Sequence, residues 1–468
     1  MVQTSNWAVV KRSVASPRAL AAERDLRSVM QGDVVVPDDE SYADTRQIWN
    51  GAVECQPALF ALCETASDVQ AAIRIARKHG LPLSVRGGGH DMEGRALCHD
   101  GLVINLTRMR SVEVDVTARI ATVLGGARAE DLIGAASAHD LVAVTGVGSS
   151  VGLAGLTLGG GYGPLMPRYG LALDNLLGAE VVLADGQCVK ANSVENADLF
   201  WALRGGGGNF GVVISMQIRL HELKNVLSGL IRFPWTEAEA VLRGYAEFMM
   251  SAPDELAATA SVSFGPDGSP GLFLTPTWSG ELTEGELVIA QLQRLGTPIL
   301  SKVGQTSYST LLRTADAQFE KSRYRAMQMQ TRWQVAISPD TISSIVAAGS
   351  SSPSPLSVIT VQSFHGAPTR VPLESTAFGL RQRHFLVLMM AAWELDAEYS
   401  GRTPQEWVRA LWRDLAPDSL PGGYANLLGP EEHEQIAAAY GSNSARLKEL
   451  KRQLDPDGVF SSAIPLPL

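Results

Sequence analysis

The chain has few cysteines, carries less positive than negative charge, and lacks any run that would take it across a membrane. Cys55, Cys63, Cys98 and Cys188 are the four cysteines in 468 residues. They form no C-x-x-C pair, so neither a disulfide scaffold nor a structural zinc site follows from them, and no metal is expected. Lys and Arg number 39 against 49 Asp and Glu, a net charge of −10. Nucleic acids and anionic membranes need a basic surface, so neither is an expected partner. The N-terminal MVQTSNWAVVKRSV has no apolar stretch of signal length, and a cytoplasmic location is expected. Residues 141–167 carry no charge, yet they hold eight glycines and two prolines and show no helical apolar face. A lipid-exposed backbone must be hydrogen-bonded within a helix or closed barrel, so no span is expected there. There is no Gly-X-Y period and no internal repeat.

What is present suits a packed protein of two or three domains, with 45% hydrophobic and 19% charged residues. Residues 1–50 read as a helical lead-in. Ser67 is placed to cap a helix that carries Val69, Ala72, Ile73 and Ala76 and stops at Gly80. A strand at Leu81–Val85 runs into Arg86-Gly87-Gly88-Gly89-His90. Strands follow at Leu102–Leu106, Ser111–Val114 and Ile120–Leu124, then a helix at Ala129–Ala138 and a strand at Leu141–Thr145. Asp185-Gly186 marks a hairpin. After about residue 221 the glycine clusters thin out. Helical patterns appear at 236–250 and 283–295, and strand patterns at 272–277, 357–364 and 384–393. The serine-rich Gly349–Ser354 reads as a loop. The expected organisation is an α+β domain over residues 1–220, a second domain over 221–415, and a C-terminal segment, 416–468, packed back on the first.

Three glycine clusters invite a chemical reading. Gly206, Gly208 and Gly211 match G-x-G-x-x-G, but a helix precedes them and a strand follows, the reverse of a dinucleotide-binding turn. At Val85–His90 a strand ends in three glycines, which expose successive backbone N–H groups without side chains; that suits a pyrophosphate cradle, and a plain glycine turn would look the same. The third cluster is Gly146, Gly148, Gly152, Gly155, Gly159, Gly160, Gly161 and Gly163, interleaved with apolar residues. A solvated linker would be polar. This cluster instead suits backbone packed around a flat, partly apolar ligand.

With VRGGGHDMEG, VTGVGSSVGLAGLTLGGGYG, DLFWALRGGGGNFGVV, YAN and a terminal DP-x-G-x-F in one chain, the sequence resembles the FAD-linked oxidases of the berberine bridge enzyme group, within the vanillyl-alcohol-oxidase superfamily. The resemblance covers most of residues 40–225 and the last fifty. It implies a PCMH-type FAD-binding domain, and a substrate domain whose antiparallel sheet, backed by helices, roofs the flavin. It also implies that His90 is joined to the flavin 8α-methyl group. A neutral imidazole nitrogen can add to the electrophilic quinone-methide form of the ring. Many relatives carry a second link through cysteine in G-x-C-x-x-V-G. Here Gly148 stands at that place, so a single covalent bond is expected.

The cofactor-contacting set implied by the resemblance is Arg86, Gly87, Gly88, Gly89, His90, Gly94, Gly146, Gly148, Ser149, Gly152, Gly155, Leu156, Gly159, Gly160, Gly163, Val213, Tyr424 and Asn426. Leu156 stands where plant members often have histidine, so support for the flavin N1–C2=O edge must come from elsewhere. Val151 matches the position that gates oxygen access, and a plain core valine is the other reading. Tyr424 is the expected general base, a role in which a phenol of pKa near ~10 needs positive charge or hydrogen bonds. Gln362, Arg370 and His384 are expected on the substrate side. The expected activity is oxidation of a small or medium organic substrate, such as a secondary metabolite, alcohol or amine, with O2 reduced to H2O2. An oxygenating or ring-forming reaction and a non-catalytic flavin store are the alternatives.

Overall fold

A computed structural model describes residues 16–264, 269–319, 323–394 and 403–467. The first fifteen residues of the expected lead-in lie outside the described part; helix Pro17–Val29 follows them. It packs with helix Ala66–His79 against a four-stranded sheet ordered Asp33–Val35, Leu59–Leu62, Leu102–Asn105, Leu83–Arg86. The last three strands are parallel and the first is antiparallel. The cap of helix Ala66–His79 is Thr65 rather than Ser67. The Thr65 hydroxyl accepts from the Asp68 amide, and the Asp68 carboxylate accepts from the amides of Thr65, Glu64 and Gln31. That reciprocal box uses the buried carboxylate fully, and a cap at Ser67 would leave it unused.

The second sheet has five antiparallel strands, ordered Val112–Asp115, Ile120–Leu124, Val212–Arg219, Leu176–Val182, Cys188–Asn192. Gly186, at φ 83°, turns the expected hairpin. Helices Ala129–Ser137, Ala197–Gly206 and Ser444–Leu454 bury their apolar residues against this sheet. The strand expected at Leu141–Thr145 shortens to Leu141–Val142, paired with His221–Glu222. The uncharged glycine-rich stretch, expected without a helix, contains one at Leu153–Gly159 with Gly152 as its N-cap. Its seven residues are too few for a periodic face to show in sequence.

The third sheet is antiparallel throughout, with seven strands ordered Leu300–Thr306, Val226–Phe233, Pro270–Trp278, Leu256–Phe264, Val358–Phe364, His384–Trp393, Ala326–Gln334. Helices Ala238–Met249, Leu282–Gln293, Pro339–Ser350 and Pro404–Asp414 pack on one face, against Ile231, Leu274, Val361, Phe385 and Val387. The serine-rich stretch expected as a loop is partly helical, since Pro339–Ser350 runs through Gly349 and Ser350. The other face of the sheet lies over the glycine loops of the first half. Trp333, Phe364 and Leu386 cluster with Tyr162, Met166, Leu171 and Tyr424, and Met327, Met390 and Ala392 with Trp49. Strand His384–Trp393 is therefore buried on both faces, which accounts for its apolar sequence after His384.

The tail folds back on the first half. Ser462 bridges in parallel to Ser84, and Phe460 joins the core of the first sheet. The DP-x-G-x-F residues form a lock. Lys451 Nζ donates to the carbonyls of Asn209 (2.7 Å) and Phe460 (2.9 Å) and to Asp455 Oδ2 (2.7 Å). The Asp455 carboxylate also accepts from the amides of Val459 and Phe460. Among the described residues no helix is long and apolar enough to cross a membrane, and no group of three potential metal ligands occurs.

Removing one partner of a buried, hydrogen-bonded ion pair costs about 3–5 kcal/mol, because the other is left buried and uncompensated. Lys451→Ala is expected to lose that much in denaturant unfolding. A loss below about 1 kcal/mol would show that the lock does not hold the tail.

Candidate active site

Strand Leu83–Arg86 delivers its last residue into the first glycine loop. Short strand Leu141–Val142 leads into the second, which ends in helix Leu153–Gly159. The two loops meet at their glycines. A Cβ built on Gly88 would lie 2.3 Å from the Gly152 nitrogen, and one on Gly152 would lie 2.4 Å from the Gly88 nitrogen. Only two residues without side chains allow that approach.

Protein also explains most of the remaining glycines in the set. A Cβ at Gly159 would strike Asn426 Oδ1, at Gly160 the Tyr424 ring, at Gly163 the Thr145 carbonyl, and at Gly94 Val53. Gly146 and Gly148 face Leu156 and Val151. Gly155 is different, with nothing within 4 Å of its added Cβ, and the Cβ of Gly87 would meet only the Gly125 carbonyl, at 3.5 Å. Among the described residues none accepts a hydrogen bond from the amides of Gly87, Gly88 or Gly89. Val213 is buried in the strand beside this cradle, next to Gly125.

His90 stands at the meeting point. Its ring stacks on Trp49 with centroids 4.3 Å apart, and Nε2 lies 3.0 Å from Ser150 Oγ. Burial, with Arg128 and Arg323 nearby, lowers its pKa to about 4, so the imidazole is neutral near pH 7. A small cavity of about 40 Å³ beside it is lined by Arg86, Gly88, Gly89, Arg128, Ser150 and Tyr324, among others. Arg86 donates to the carbonyls of Thr45 and Gln47, while its buried Nε has no partner. Ser149 donates its amide to Asp316 Oδ1 at 2.7 Å. These features fit a flavin dinucleotide: a neutral nucleophilic nitrogen, glycine amides free of protein acceptors, and guanidinium groups for an anionic ligand.

A second cluster lies at the far end of the same loop. Tyr424 is buried, and its hydroxyl accepts from the Gly161 amide (2.9 Å) and from Asn426 Nδ2 (3.0 Å). Asn426 also donates to the carbonyls of Gly155 and Leu156, which ties the Y-x-N segment to the short helix. The two N–H donors favour phenolate, but burial outweighs them and raises the Tyr424 pKa above its ordinary value. The Tyr162 ring packs 4.7 Å from that of Tyr424.

The three residues expected on the substrate side are not brought together. Gln362 is half-buried on the sheet face that also carries Trp333 and Leu386. His384 is fully buried, with Nε2 3.0 Å from Tyr162 Oη and Nδ1 2.9 Å from the Gln382 carbonyl, so both ring nitrogens already have protein partners. Arg370 is exposed and paired with Asp254. Five residues of the two clusters escaped the sequence reading: Trp49, Ser150, Arg128, Tyr162 and Trp333. Ser150 and Tyr162 lay inside quoted motifs, and their adjacency to the glycines was the available signal.

Two family models match, one described as FAD binding domain over residues 57–192 and one as berberine and berberine like over residues 423–467. (R)-6-hydroxynicotine oxidase of Paenarthrobacter nicotinovorans is 32% identical over 452 residues, covering 92% of this chain and 95% of that protein. The crystal structure of 6-hydroxy-D-nicotine oxidase from Arthrobacter nicotinovorans superposes with a TM-score of 0.86 at 29% identity, over 97% of this chain and 99% of that one. Glucooligosaccharide oxidase from Acremonium strictum, which carries a 6-S-cysteinyl, 8α-N1-histidyl FAD, shares the fold at 23% identity, with a TM-score of 0.84 over 96% and 99% of the two chains. The chain belongs to the berberine bridge enzyme-like family of FAD-linked oxidoreductases, and it is an FAD-dependent oxidase with the PCMH-type FAD-binding fold.

Gly152→Ala places a methyl group against the Gly88 backbone, and overpacking of this kind costs about 1–3 kcal/mol. The variant is expected to be purified with less than half the wild-type flavin per chain, read from the absorbance ratio. Full flavin content with an unchanged melting temperature would mean that the contact is not needed.

Proposed function

We propose that the protein oxidises a small or medium organic alcohol or amine, with FAD attached through His90 alone and O2 as the electron acceptor, giving H2O2. Residues 1–220 with 416–468 hold the cofactor, and residues 221–415 supply the roof and the substrate contacts. The observation that carries this reading is the position of His90, neutral and braced between Trp49 and Ser150 where the two glycine loops meet.

FAD, when bound, accepts a hydride from a substrate C–H. The chain's own part is positional. Ser150 holds His90 Nε2, which leaves Nδ1 as the nitrogen free to bond carbon. Trp49 fixes the plane of the imidazole. Gly148 replaces the cysteine of doubly linked relatives. Of the cysteines, Cys63 and Cys98 are buried in the first half's apolar clusters, and Cys188 is exposed on a strand edge. Leu388, Thr360, Gln362 and Thr259 lie half-buried on the sheet face that looks onto the glycine loops. Their mixture of hydroxyl, amide and apolar groups suits a neutral or weakly polar substrate. The named activity of the nicotinovorans relative makes (R)-6-hydroxynicotine the first member of a substrate panel.

Protein precipitated with acid is expected to stay yellow, and flavin is expected on one peptide, the one containing His90. His90→Ala should release all flavin on precipitation. Flavin retained by that variant, or found on Cys98 or Cys188, would remove the single-link assignment. For the gating role of Val151, Val151→Leu is expected to slow reoxidation of the reduced enzyme by air at least tenfold more than it slows reduction, since added methylene volume in close-packed surroundings has nowhere to go. Equal slowing of the two half-reactions would return Val151 to an ordinary core role.

A further inference from the structure

The loop that holds His90 through Ser150 is tied down unevenly. Past Ser149 it is anchored by backbone. The Ser149 and Val151 carbonyls accept from the amides of Glu130 (2.8 Å) and Ala129 (3.0 Å), and the Leu153 amide donates to the Ala127 carbonyl (2.9 Å). Before Ser149 it is loose. Among the described residues none accepts from the amides of Gly146, Val147 or Gly148, and the Val147 side chain is exposed. The Ser149 amide lies at the join of the two parts, and its acceptor is a side chain from far along the chain, Asp316 Oδ1 at 2.7 Å.

Asp316 stands on helix Tyr308–Phe319. This helix follows strand Leu300–Thr306 of the seven-stranded sheet, yet it packs on the other half of the molecule. Tyr308 and Leu312 are buried in the core of the five-stranded sheet, and Tyr308 Oη lies 3.4 Å from Thr145 Oγ1. The helix therefore meets the second glycine loop at Thr145 and at Ser149, on either side of the loose run. Farther along, the Tyr324 amide donates to the carbonyl of Trp49 (3.0 Å), the residue that stacks on His90. Both braces of the imidazole, Ser150 and Trp49, are thus reached from the second half of the chain.

We propose that Asp316 is a positioning residue for the covalent attachment of flavin to His90. For Nδ1 to attack carbon, the imidazole hydrogen must sit on Nε2, and Ser150 Oγ is placed to accept it at 3.0 Å. Asp316 fixes the residue before Ser150 and so fixes the direction in which Nδ1 points. Gly148 stands where doubly linked relatives fasten this loop to the ring through cysteine; here the fastening comes from the protein. In the attachment the new N–C bond replaces one methyl C–H and the imidazole N–H. Two protons and one electron pair pass to the ring, and O2 takes them off as H2O2. The inference rests on the single-link reading above and deepens it.

Protein made in riboflavin-limited cells is mixed with FAD, and the rate at which flavin becomes resistant to acid precipitation is followed. A small misplacement of a reacting group costs up to ~10²-fold, so Asp316→Ala is expected to attach flavin about 10–100-fold more slowly than wild type while still binding it. Asp316→Asn keeps an oxygen acceptor for the Ser149 amide and should stay within about threefold. Wild-type rates in Asp316→Ala, or equal slowing in both variants, would overturn the proposal. Hydrogen exchange on the flavin-loaded wild type needs no variant and decides even where Asp316→Ala does not fold. The Ser149 amide is expected to exchange at least about tenfold more slowly than those of Val147 and Gly148, as a fixed point in a loose run must. Equal exchange at the three positions would overturn the brace. Wild-type flavin released by acid would sink the single-link reading itself, whereas an acid-stable wild type with an indifferent Asp316→Ala sinks this inference alone.

Discussion

The site depends on one contact, the van der Waals meeting of the Gly88 and Gly152 backbones. Each loop has a different origin, one leaving a parallel strand and the other entering a short helix. Their contact sets where His90 and Arg86 stand relative to Ser150, and through helix Leu153–Gly159 it sets where Gly155, Leu156 and the Asn426 anchor stand. A side chain at either glycine would separate the two ends of a site that must hold one rigid ring.

The roof is built on the opposite principle, saturation with apolar side chains. Strand His384–Trp393 is apolar after its first residue, because helices cover one face and the glycine loops the other. Three buried polar pairs enter this region, Tyr162 with His384, Arg381 with Asp174, and Tyr424 with Asn426, while Trp333 Nε1 and Arg381 Nε are left without a protein partner. An unpaired buried polar group costs about 1–3 kcal/mol. Water kept out of such a region leaves hydrogen bonds stronger than they would be in bulk solvent.

Much of this was legible in the sequence. Two of the glycine clusters meet at Gly88 and Gly152, the inverted G-x-G-x-x-G turns from a helix into a strand as its context indicated, and Asp455 of the DP-x-G-x-F ties down the tail. The substrate half was legible as strands and helices but not as a site, because its functional residues come from strands far apart in sequence. Glycine carries two readings at once. Gly159, Gly160 and Gly163 are expected at the cofactor, and their missing side chains also make room for Asn426, Tyr424 and Thr145. The helix cap was beyond sequence. Ser67 and Thr65 are both candidates at the helix start, and only the buried Asp68 carboxylate decides for Thr65.

A crystal structure of the flavin-loaded enzyme is the most direct measurement of the central claim. The account predicts electron density continuous from His90 Nδ1 to the flavin ring, with the ring lying between the Gly88–Gly152 contact and the sheet face carrying Trp333 and Leu386. A ring bonded through another residue, or seated away from the two glycine loops, would contradict it.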